Sequence, residues 1–166
     1  LLGILKGVLL AVVVSLLMLL RGAARPHVAI LGRIPGSRRY SDLQRHPDNE
    51  LIPGVLIFRV EGGLLYFNAD HVREMVRQRI AAARDLRHVV CDLSNSPQVD
   101  VAGARMLGRL HQDLAGRSVG FRVVEAHARV RDMLRAEGLE ERVGYLGRHL
   151  TLDSVIEEYE QAPRES

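Results

Sequence analysis

Residues 88–114 (HVVCDLSNSPQVDVAGARMLGRLHQDL) decide the predicted fold. The apolar residues 89–91 predict a buried strand, residues 92–97 predict a polar turn, and a helix then begins at residues 100–103. The first turn of a helix presents unpaired backbone N–H groups and a partial positive charge, which can bind a phosphate or a carboxylate. We therefore predict that the soluble part of the chain contacts its ligand or partner at this turn.

The candidate contact residues in this turn and at the start of the following helix are Asp92, Ser94, Asn95, Asp100, Val101 and Gly103. Asp100 also has a structural interpretation, as a helix N-cap that accepts backbone N–H bonds and contributes about 1 kcal/mol. Asp92 can equally hold its own loop in place, and the hydroxyls of Ser94 and Ser96 can simply form the turn. The sequence leaves both interpretations open.

The positive charge of the chain is confined to its first quarter. The whole chain has a formal net charge of +3. Residues 1–41 contain six basic and no acidic side chains, whereas residues 42–166 contain 17 basic and 20 acidic ones, a net charge of −3. A mildly acidic globular part does not suit a DNA- or RNA-binding surface, so we predict no nucleic-acid partner.

Residues 1–20 (LLGILKGVLLAVVVSLLMLL) are apolar on every helical face and are interrupted only by Lys6 and Ser15. At about 1.5 Å per residue, this run is long enough to cross the hydrocarbon core of a membrane. Arginines follow from Arg21 onwards, which marks the cytoplasmic flank. We therefore predict a transmembrane helix over residues 1–20, with residues 21–166 in the cytoplasm.

Two other interpretations of this apolar run are weaker. A secretory signal needs a basic segment before its apolar core, and a buried core helix normally shows one polar stripe. Because the chain begins inside the run, we expect it to be the tail of a longer multi-pass protein of the cell membrane, with further spans upstream.

The next segment, residues 21–53, is predicted to be a basic juxtamembrane connector that contains a first strand at residues 27–31. Its last part, residues 41–53, is polar and rich in turn-forming residues, which predicts a surface loop. Two apolar runs follow at residues 55–60 and 64–68, on either side of a Glu-Gly-Gly turn. This pattern predicts an antiparallel hairpin.

Helical patterns then alternate with strands. Their apolar faces are formed by Val72, Met75, Val76, Ile80, Ala83, Met106, Leu107, Leu110, Leu114, Val130, Met133, Leu134, Leu152, Val155, Ile156 and Tyr159. Asn68 or Asp70 is predicted to cap the first of these helices and Thr151 the last, and residues 119–124 are predicted to form another strand. Right-handed crossovers then give one α/β domain over residues 54–162, with a mixed sheet that is parallel in this half and flanked by helices.

Several motifs of this domain resemble those of one family. They are residues 66–69 (YFNA) at the start of a helix, residues 92–94 (DLS) and residues 100–103 (DVAG). Their order is similar to that in the STAS domain, the fold shared by anti-sigma-factor antagonists and the cytoplasmic tails of SulP-family anion transporters. Residues 31–36 (LGRIPG) and 58–59 (FR), placed after a membrane span, resemble the SulP version.

The resemblance implies a STAS-like mixed sheet and a parent protein that carries sulfate, bicarbonate or a dicarboxylate. The anion would bind among membrane helices that this chain lacks, and the STAS domain would influence transport, folding or assembly, with no catalysis and no cofactor. It leaves open a protein partner or a nucleotide on the domain, and a homodimer. In the antagonists, a serine or threonine that follows the conserved Asp is phosphorylated. Here Val101 and then Ala102 follow it, so phosphorylation at this position is excluded.

Enzyme and metal motifs are missing from the sequence. A phosphate-binding P-loop needs a lysine, and the only lysine is Lys6 in the apolar run. Gly108 is therefore interpreted as a site of close packing against the sheet. The histidines and Cys91 lack metal-ligand spacing, and Cys91 is predicted to be a buried, reduced thiol. We predict no catalytic residue, no metal and no cofactor.

Three hypotheses from different classes follow. The first is a regulatory and docking domain of an anion transporter, which the membrane span and the family resemblance favour. The second is a soluble partner-binding module like the anti-sigma-factor antagonists, which the apolar run and Val101 disfavour. The third is a nucleotide sensor that uses the turn at residues 92–103.

Overall fold

In the computed structural model, which describes residues 2–162, a long helix leads into a sheet flanked by helices. The elements in chain order are α1 (Leu2–Ala24), β1 (His27–Arg33), β2 (Tyr40–Asp42), β3 (Val55–Glu61), α2 (Ala69–Ala82), β4 (His88–Asp92), α3 (Val101–Ala115), β5 (Gly120–Val124), α4 (Ala128–Ala136), α5 (Glu140–Val143) and α6 (Leu152–Gln161). The strand, turn and helix predicted over residues 88–114 are confirmed as β4, α3 and the segment between them.

The five strands form one mixed sheet in the order β2-β1-β3-β4-β5. β3, β4 and β5 are parallel, and β1 is antiparallel to both β2 and β3, which confirms the predicted mixed sheet. Because β1 runs against β3, His27 at the start of β1 pairs with Glu61 at the end of β3. We call the end of the sheet where β1 begins and the parallel strands end the carboxyl edge, and the opposite end the amino edge.

Alternating side chains of β3 divide the core into two layers. Phe58 and Val60 pack against α2, α3 and α4 on one face, whereas Ile57 packs against α6 on the other. Most residues of the predicted apolar faces of α2 and α3 are buried, namely Val72, Val76, Ile80, Met106, Leu107, Leu110 and Leu114. Met75, Met133 and Tyr159 are only half-buried, and Ala83 lies just after the end of α2. Burying each large apolar side chain contributes about 1.5–3 kcal/mol, so the face that packs against α2, α3, α4 and α5 supplies most of the stability.

The helix α1 continues four residues beyond the predicted span, to Ala24, and its side chains are exposed from Gly3 to Ala23. Leu1, the first residue of the predicted span, lies outside the described residues. By length and composition, the segment Gly3–Ala24 can cross a membrane, and the rest of the described chain does not cover it. The alternative of a buried core helix is therefore wrong.

The hairpin predicted over residues 55–68 is also wrong. Only its first strand forms, as β3, and the antiparallel partner of β3 is β1. The backbone N–H of Leu64 donates to the Gln98 carbonyl oxygen at 2.9 Å, and the Leu64 carbonyl accepts from the Asp100 N–H at 3.1 Å. Residues 62–68 therefore form a loop, which we call the Leu64 loop, and it packs on the turn between β4 and α3.

The two predicted caps have different outcomes. Thr151 caps α6 as predicted: its side chain accepts the Ser154 backbone N–H, and the Ser154 hydroxyl accepts the Thr151 N–H. Asn68 occupies the cap position of α2, but its side chain makes no capping hydrogen bond. Asp70 lies inside α2. The prediction that Asn68 or Asp70 caps this helix is therefore wrong.

The segment predicted as a surface loop over residues 41–53 contributes in part to the sheet. It begins inside β2, and the buried Asn49 amide donates to the Ser41 carbonyl oxygen at 3.0 Å. The backbones of Arg33 and Glu50 exchange two hydrogen bonds of 2.8 Å. These side-chain and backbone bonds between distant residues are why a turn-rich composition did not predict the strand.

Candidate functional site

Asp92 holds the predicted contact turn to the end of β4. Only 3% of the residue is exposed, and its Oδ1 accepts the Ser94 backbone N–H at 2.8 Å. Its Oδ2 lies 3.9 Å from Nη1 of Arg59 on the neighbouring strand. Asp92 therefore holds its own loop in place, because its carboxylate contacts groups of the same chain.

Asp100 closes the amino-terminal end of α3. Its Oδ1 accepts the Gly103 N–H at 2.9 Å, which confirms the predicted N-cap, and its Oδ2 accepts the Tyr66 N–H at 2.8 Å. A carboxylate here stabilises the helix dipole. It also places a negative charge where a phosphate would bind at the helix terminus, so the geometry disfavours a phosphate or nucleotide ligand there.

Gly103 permits the closest approach between α3 and the Leu64 loop. A Cβ atom on Gly103 would lie 2.4 Å from the Leu64 carbonyl oxygen, which is too short for any other residue type without displacing the backbone. A Cβ atom on Gly108 would be 3.4 Å from Nη1 of Arg142 and 3.6 Å from Cδ1 of Leu139. The prediction that Gly108 packs against the sheet is wrong, because this residue faces α5 and the residue preceding it.

The polar side chains between Asp92 and Asp100 differ in their availability to a partner. Ser96 is buried, and its hydroxyl donates to the Val60 carbonyl oxygen at 3.2 Å. The carbonyl oxygen of half-buried Ser94 lies 2.9 Å from Nε2 of His127. Asn95 is exposed, and its amide donates to Glu61. Asn95 therefore offers the most accessible polar group of the turn among the predicted contact residues.

Glu61 is held in its charged form by this contact. Burial raises the pKa of Glu61, but hydrogen bonds from Asn95 and Arg59 lower it by more, so that the net pKa lies below its usual value. The Asn95 side chain thus connects the turn to the end of β3.

Exposed apolar side chains lie beside the predicted turn. The exposed fraction is 75% for Tyr66, 43% for Phe67 and 38% for Val101. The two aromatic rings pack edge to face, with centroids 5.3 Å apart. The sequence placed Tyr66 and Phe67 in the second run of the predicted hairpin and in a family motif, and neither pattern indicated that both rings would be exposed.

Asn68 was missed as a functional candidate because one of its three partners, Ala23, is 45 residues away. Only 2% of this residue is exposed. Its Oδ1 accepts the Leu65 N–H at 2.9 Å, and its Nδ2 donates to the carbonyl oxygens of Gly63 at 2.9 Å and Ala23 at 3.0 Å. One buried amide therefore joins the Leu64 loop to the last turn of α1.

A polar cleft of about 360 Å³ lies next to the turn at the carboxyl edge. It is lined by His27, Ser41, Asp42, Arg45, His46, Arg59 and Glu61. Burial raises the pKa of Asp42, but the His27 ring at 2.9 Å and the Gln44 backbone N–H lower it by more, leaving the net pKa below its usual value. Two carboxylates balance the two arginines, so the cleft itself gives no preference for an anion.

Cys91 lies in the middle of the core, as predicted. It is fully buried in β4, and burial raises the pKa of its thiol well above the usual value. A protonated and inaccessible thiol is a poor nucleophile, so Cys91 has a packing role.

Comparison with known protein families gives a match over most of the chain. The profile of the STAS domain family matches residues 46–157. High affinity sulfate transporter 2 of Stylosanthes hamata is 28% identical over 162 residues, which cover 92% of this chain and 24% of the transporter. Sulfate transporter 1.1 of Arabidopsis thaliana is 28% identical over 159 residues, covering 90% of this chain and 24% of the transporter. The chain thus spans about a quarter of the length of these curated relatives.

Solved structures share the fold at low sequence identity. The murine Solute Carrier 26 family member A9 anion transporter, in its inward-facing state, aligns with a TM-score of 0.78 at 19% identity, over 93% of this chain and 26% of that chain. The STAS domain of a SulP transporter from Vibrio cholerae aligns with a TM-score of 0.54 at 20% identity, over 71% and 93%. The unphosphorylated anti-sigma factor antagonist SpoIIAA aligns with a TM-score of 0.57 at 12% identity, over 70% and 96%.

Proposed function

Because the chain belongs to the STAS domain family, we propose that it is the cytoplasmic regulatory and assembly domain, with its membrane helix, of a SulP-type secondary anion transporter. One observation carries this proposal: an exposed apolar helix is joined directly to a STAS fold. The alignment with the sulfate transporter of Stylosanthes hamata covers 92% of the chain, which is more than the residues after α1 supply, so the similarity extends into that helix. The proposed substrate is sulfate or a related anion such as bicarbonate or a dicarboxylate.

In this proposal residues 1–20 cross the membrane as the last span of a multi-pass protein. Arg21 and Arg25 follow the apolar run and favour the cytoplasmic side for everything after it. Residues 21–53 form the juxtamembrane connector and supply β1 and β2, the two strands at one side of the sheet, and residues 54–162 complete the STAS domain. The carboxyl edge then faces the membrane, because β1 begins there two residues after α1.

We propose that a regulatory partner contacts the turn between β4 and α3 through its accessible side chains, Ser94, Asn95 and Val101. Asp92, Asp100 and Gly103 have a different role in the same surface, because their hydrogen bonds and close contacts give the turn its shape. The partner surface lies on the membrane side of the domain, which favours a contact within the transporter or its assembly. Val101 has no hydroxyl, so control by phosphorylation at this residue is excluded.

The proposal is tested by uptake of radiolabelled sulfate and bicarbonate by the complete protein, with and without residues 42–166. We expect uptake per transporter molecule in the membrane to fall in the truncated protein. Because a truncated protein can also fail to reach the membrane, its surface abundance and oligomeric state are measured in parallel.

Point variants make the same test without truncation. Val101→Asp changes an exposed residue of the turn, and Leu51→Asp is the matched control, since Leu51 is exposed near the amino edge beside the Arg33–Glu50 backbone pair. We expect Val101→Asp to lower uptake and Leu51→Asp to leave it unchanged. Normal uptake, abundance and assembly in both the truncated protein and Val101→Asp would contradict a regulatory and assembly role.

A further inference from the structure

We propose that Tyr66 and Phe67 anchor the domain in the headgroup layer of the lipid bilayer, an inference that rests on the proposed membrane-spanning role of α1. Outside α1, the described residues include only five exposed large apolar side chains, which are Leu51, Tyr66, Phe67, Val101 and Tyr145. Three of the five lie together at the carboxyl edge, since Asp100, adjacent to Val101, accepts the Tyr66 N–H. Such a cluster indicates a contact surface more strongly than the same residues scattered singly.

The distance of this cluster from the apolar part of α1 determines how deep the cluster lies in the bilayer. The apolar run ends at Leu20, and the carbonyl oxygen of Ala23 lies three residues further, about 4.5 Å along the helix axis. The headgroup layer on each side of a bilayer is about 5–7 Å thick. Asn68 binds the Ala23 carbonyl oxygen at 3.0 Å, so the loop that carries Tyr66 and Phe67 is held at the level of the headgroups.

The loop is also fixed on its other side, so the aromatic pair cannot move away freely from this level. Asp100 accepts the Tyr66 N–H at 2.8 Å, and Gly103 brings the backbone of α3 against Leu64. Asn68 itself is buried and makes three hydrogen bonds within the loop and to α1. The aromatic rings are therefore presented by a rigid loop and need little ordering on binding.

The chemistry around the pair suits a lipid interface with anionic headgroups. Tyrosine and other amphipathic aromatic side chains are enriched where the hydrocarbon core meets water. Three exposed cations lie near this edge: Arg21 in the last turn of α1, Arg25 just after α1, and Arg129 at the start of α4, which follows β5. Each cation near an anionic leaflet contributes roughly 1 kcal/mol of attraction.

The test uses the full 166-residue chain in vesicles of phosphatidylcholine and phosphatidylglycerol. Because the chain contains no tryptophan, one introduced indole reports on a single position. Three variants place it in the proposed anchor (Tyr66→Trp), on the amino edge (Leu51→Trp) and inside α1 (Leu10→Trp). All three native side chains are exposed, so the substitutions disturb little packing, and far-UV circular dichroism verifies the fold of each variant.

Bromine atoms on the acyl chains quench an indole that touches them. We expect bromines near the headgroup end to quench the indole at position 66 strongly, and bromines near the methyl end to quench it less. The order should be reversed at position 10, and the indole at position 51 should keep its emission with either lipid. The emission maximum at position 66 should also lie to the blue of that at position 51.

The experiment distinguishes failure of the lipid anchor from failure of the proposed membrane span. If position 10 is quenched and position 66 is not, the lipid anchor is overturned while the membrane span stands, and the aromatic pair is then left for a protein contact. If position 10 is not quenched either, both the anchor and the proposed membrane role of α1 are overturned. Equal quenching at positions 51 and 66 also overturns the anchor, because contact would then not be specific to the carboxyl edge.

Discussion

The two edges of the sheet are held by different kinds of interaction. At the carboxyl edge, the short side chains of Asn68, Asp92 and Asp100 bond to backbone groups of the neighbouring loops and of α1. Asn68 and Asp92 are almost completely buried, and Asp100 is half-buried. These bonds hold the Leu64 loop, the turn between β4 and α3 and the end of α1 as one unit.

At the amino edge, long side chains join β1 and β4 to α6. His88 stacks on Tyr159, with ring centroids 3.8 Å apart, and Arg33 donates to Glu160 at 2.8 Å. Exposed ion pairs of this kind typically contribute less than about 1 kcal/mol, whereas a buried group that loses its only partner costs about 1–3 kcal/mol. The difference indicates that the contacts whose loss would cost the most free energy lie at the edge next to α1.

The largest expected effect is that of Gly103→Ala. The added Cβ would lie 2.4 Å from the Leu64 carbonyl oxygen, so either α3 or the Leu64 loop must move. We expect a loss of about 3 kcal/mol in the free energy of unfolding, measured by urea titration in a mild detergent with circular dichroism as the signal.

Gly108→Ala is the matched control, in the same helix and away from the Leu64 loop. Its Cβ would make ordinary contacts at 3.4 Å and 3.6 Å, and alanine favours the helix by up to about 1 kcal/mol. Equal losses in the free energy of unfolding of the two variants would show that the close approach at the carboxyl edge does not make Gly103 more sensitive to substitution than Gly108.

The next effect is that of Asn68→Ala. It removes three hydrogen bonds, which connect the Leu64 loop internally and to Ala23, and we expect a loss of about 2 kcal/mol. Hydrogen exchange should become faster in residues 62–68 and in the last turn of α1 together. The control is Asn95→Ala, since Asn95 is exposed and bonds one side chain. If exchange changes only in the loop, the Asn68 contact does not join it to α1.

A smaller loss is expected for Asp100→Ala. This variant removes the N-cap of α3 and the acceptor of the Tyr66 N–H, which together contribute about 1–2 kcal/mol. Asp100→Asn keeps one acceptor oxygen and should recover part of the loss in the same urea titration. An Asp100→Asn variant as unstable as Asp100→Ala would mean that the charge, rather than the cap, is the stabilising feature.

The smallest effect concerns the pH dependence at the amino edge. Burial lowers the pKa of His88, and nearby Arg87 lowers it further, while Glu158 partly opposes them. The unfolded chain therefore binds this proton at a higher pH than the folded chain does, so the stability falls as the pH drops through about 6.5, the usual value for histidine. His88→Phe retains an aromatic ring beside Tyr159 and should reduce the slope of stability against pH. An unchanged slope would assign the pH dependence to other groups.

The periodic part of the fold could be predicted from the sequence, because the spacing of Val72, Val76 and Ile80, or of Leu107, Leu110 and Leu114, depends only on local geometry. The absence of the hairpin could not be predicted in this way. Two apolar runs around a Gly-Gly turn show the same local pattern whether the second run pairs as a strand or packs as a loop. The choice depends on β1, whose pairing with β3 is a long-range contact. The short strand β2 was missed for the same reason.

The position of the turn at the candidate site could be predicted better than the roles of the residues in it. Strand ends and a helix start identified the turn at residues 92–103, and the N-cap role of Asp100 follows from the same local rules. The role of Asn68 depends on Ala23, and the exposure of Tyr66 and Phe67 depends on which side of the loop faces the core. Neither is encoded in the neighbouring residues.

The short connection between α1 and β1 has a mechanical consequence. Only Arg25 and Pro26 separate the two elements, and proline restricts the backbone torsions of both residues. Such a joint lacks the torsional freedom of a hinge, and β1 is paired with β3 over five residues. If α1 is the last span of the proposed transporter, any tilt or rotation of α1 would therefore reorient the sheet as a rigid body, and the end of the sheet far from α1 would move furthest.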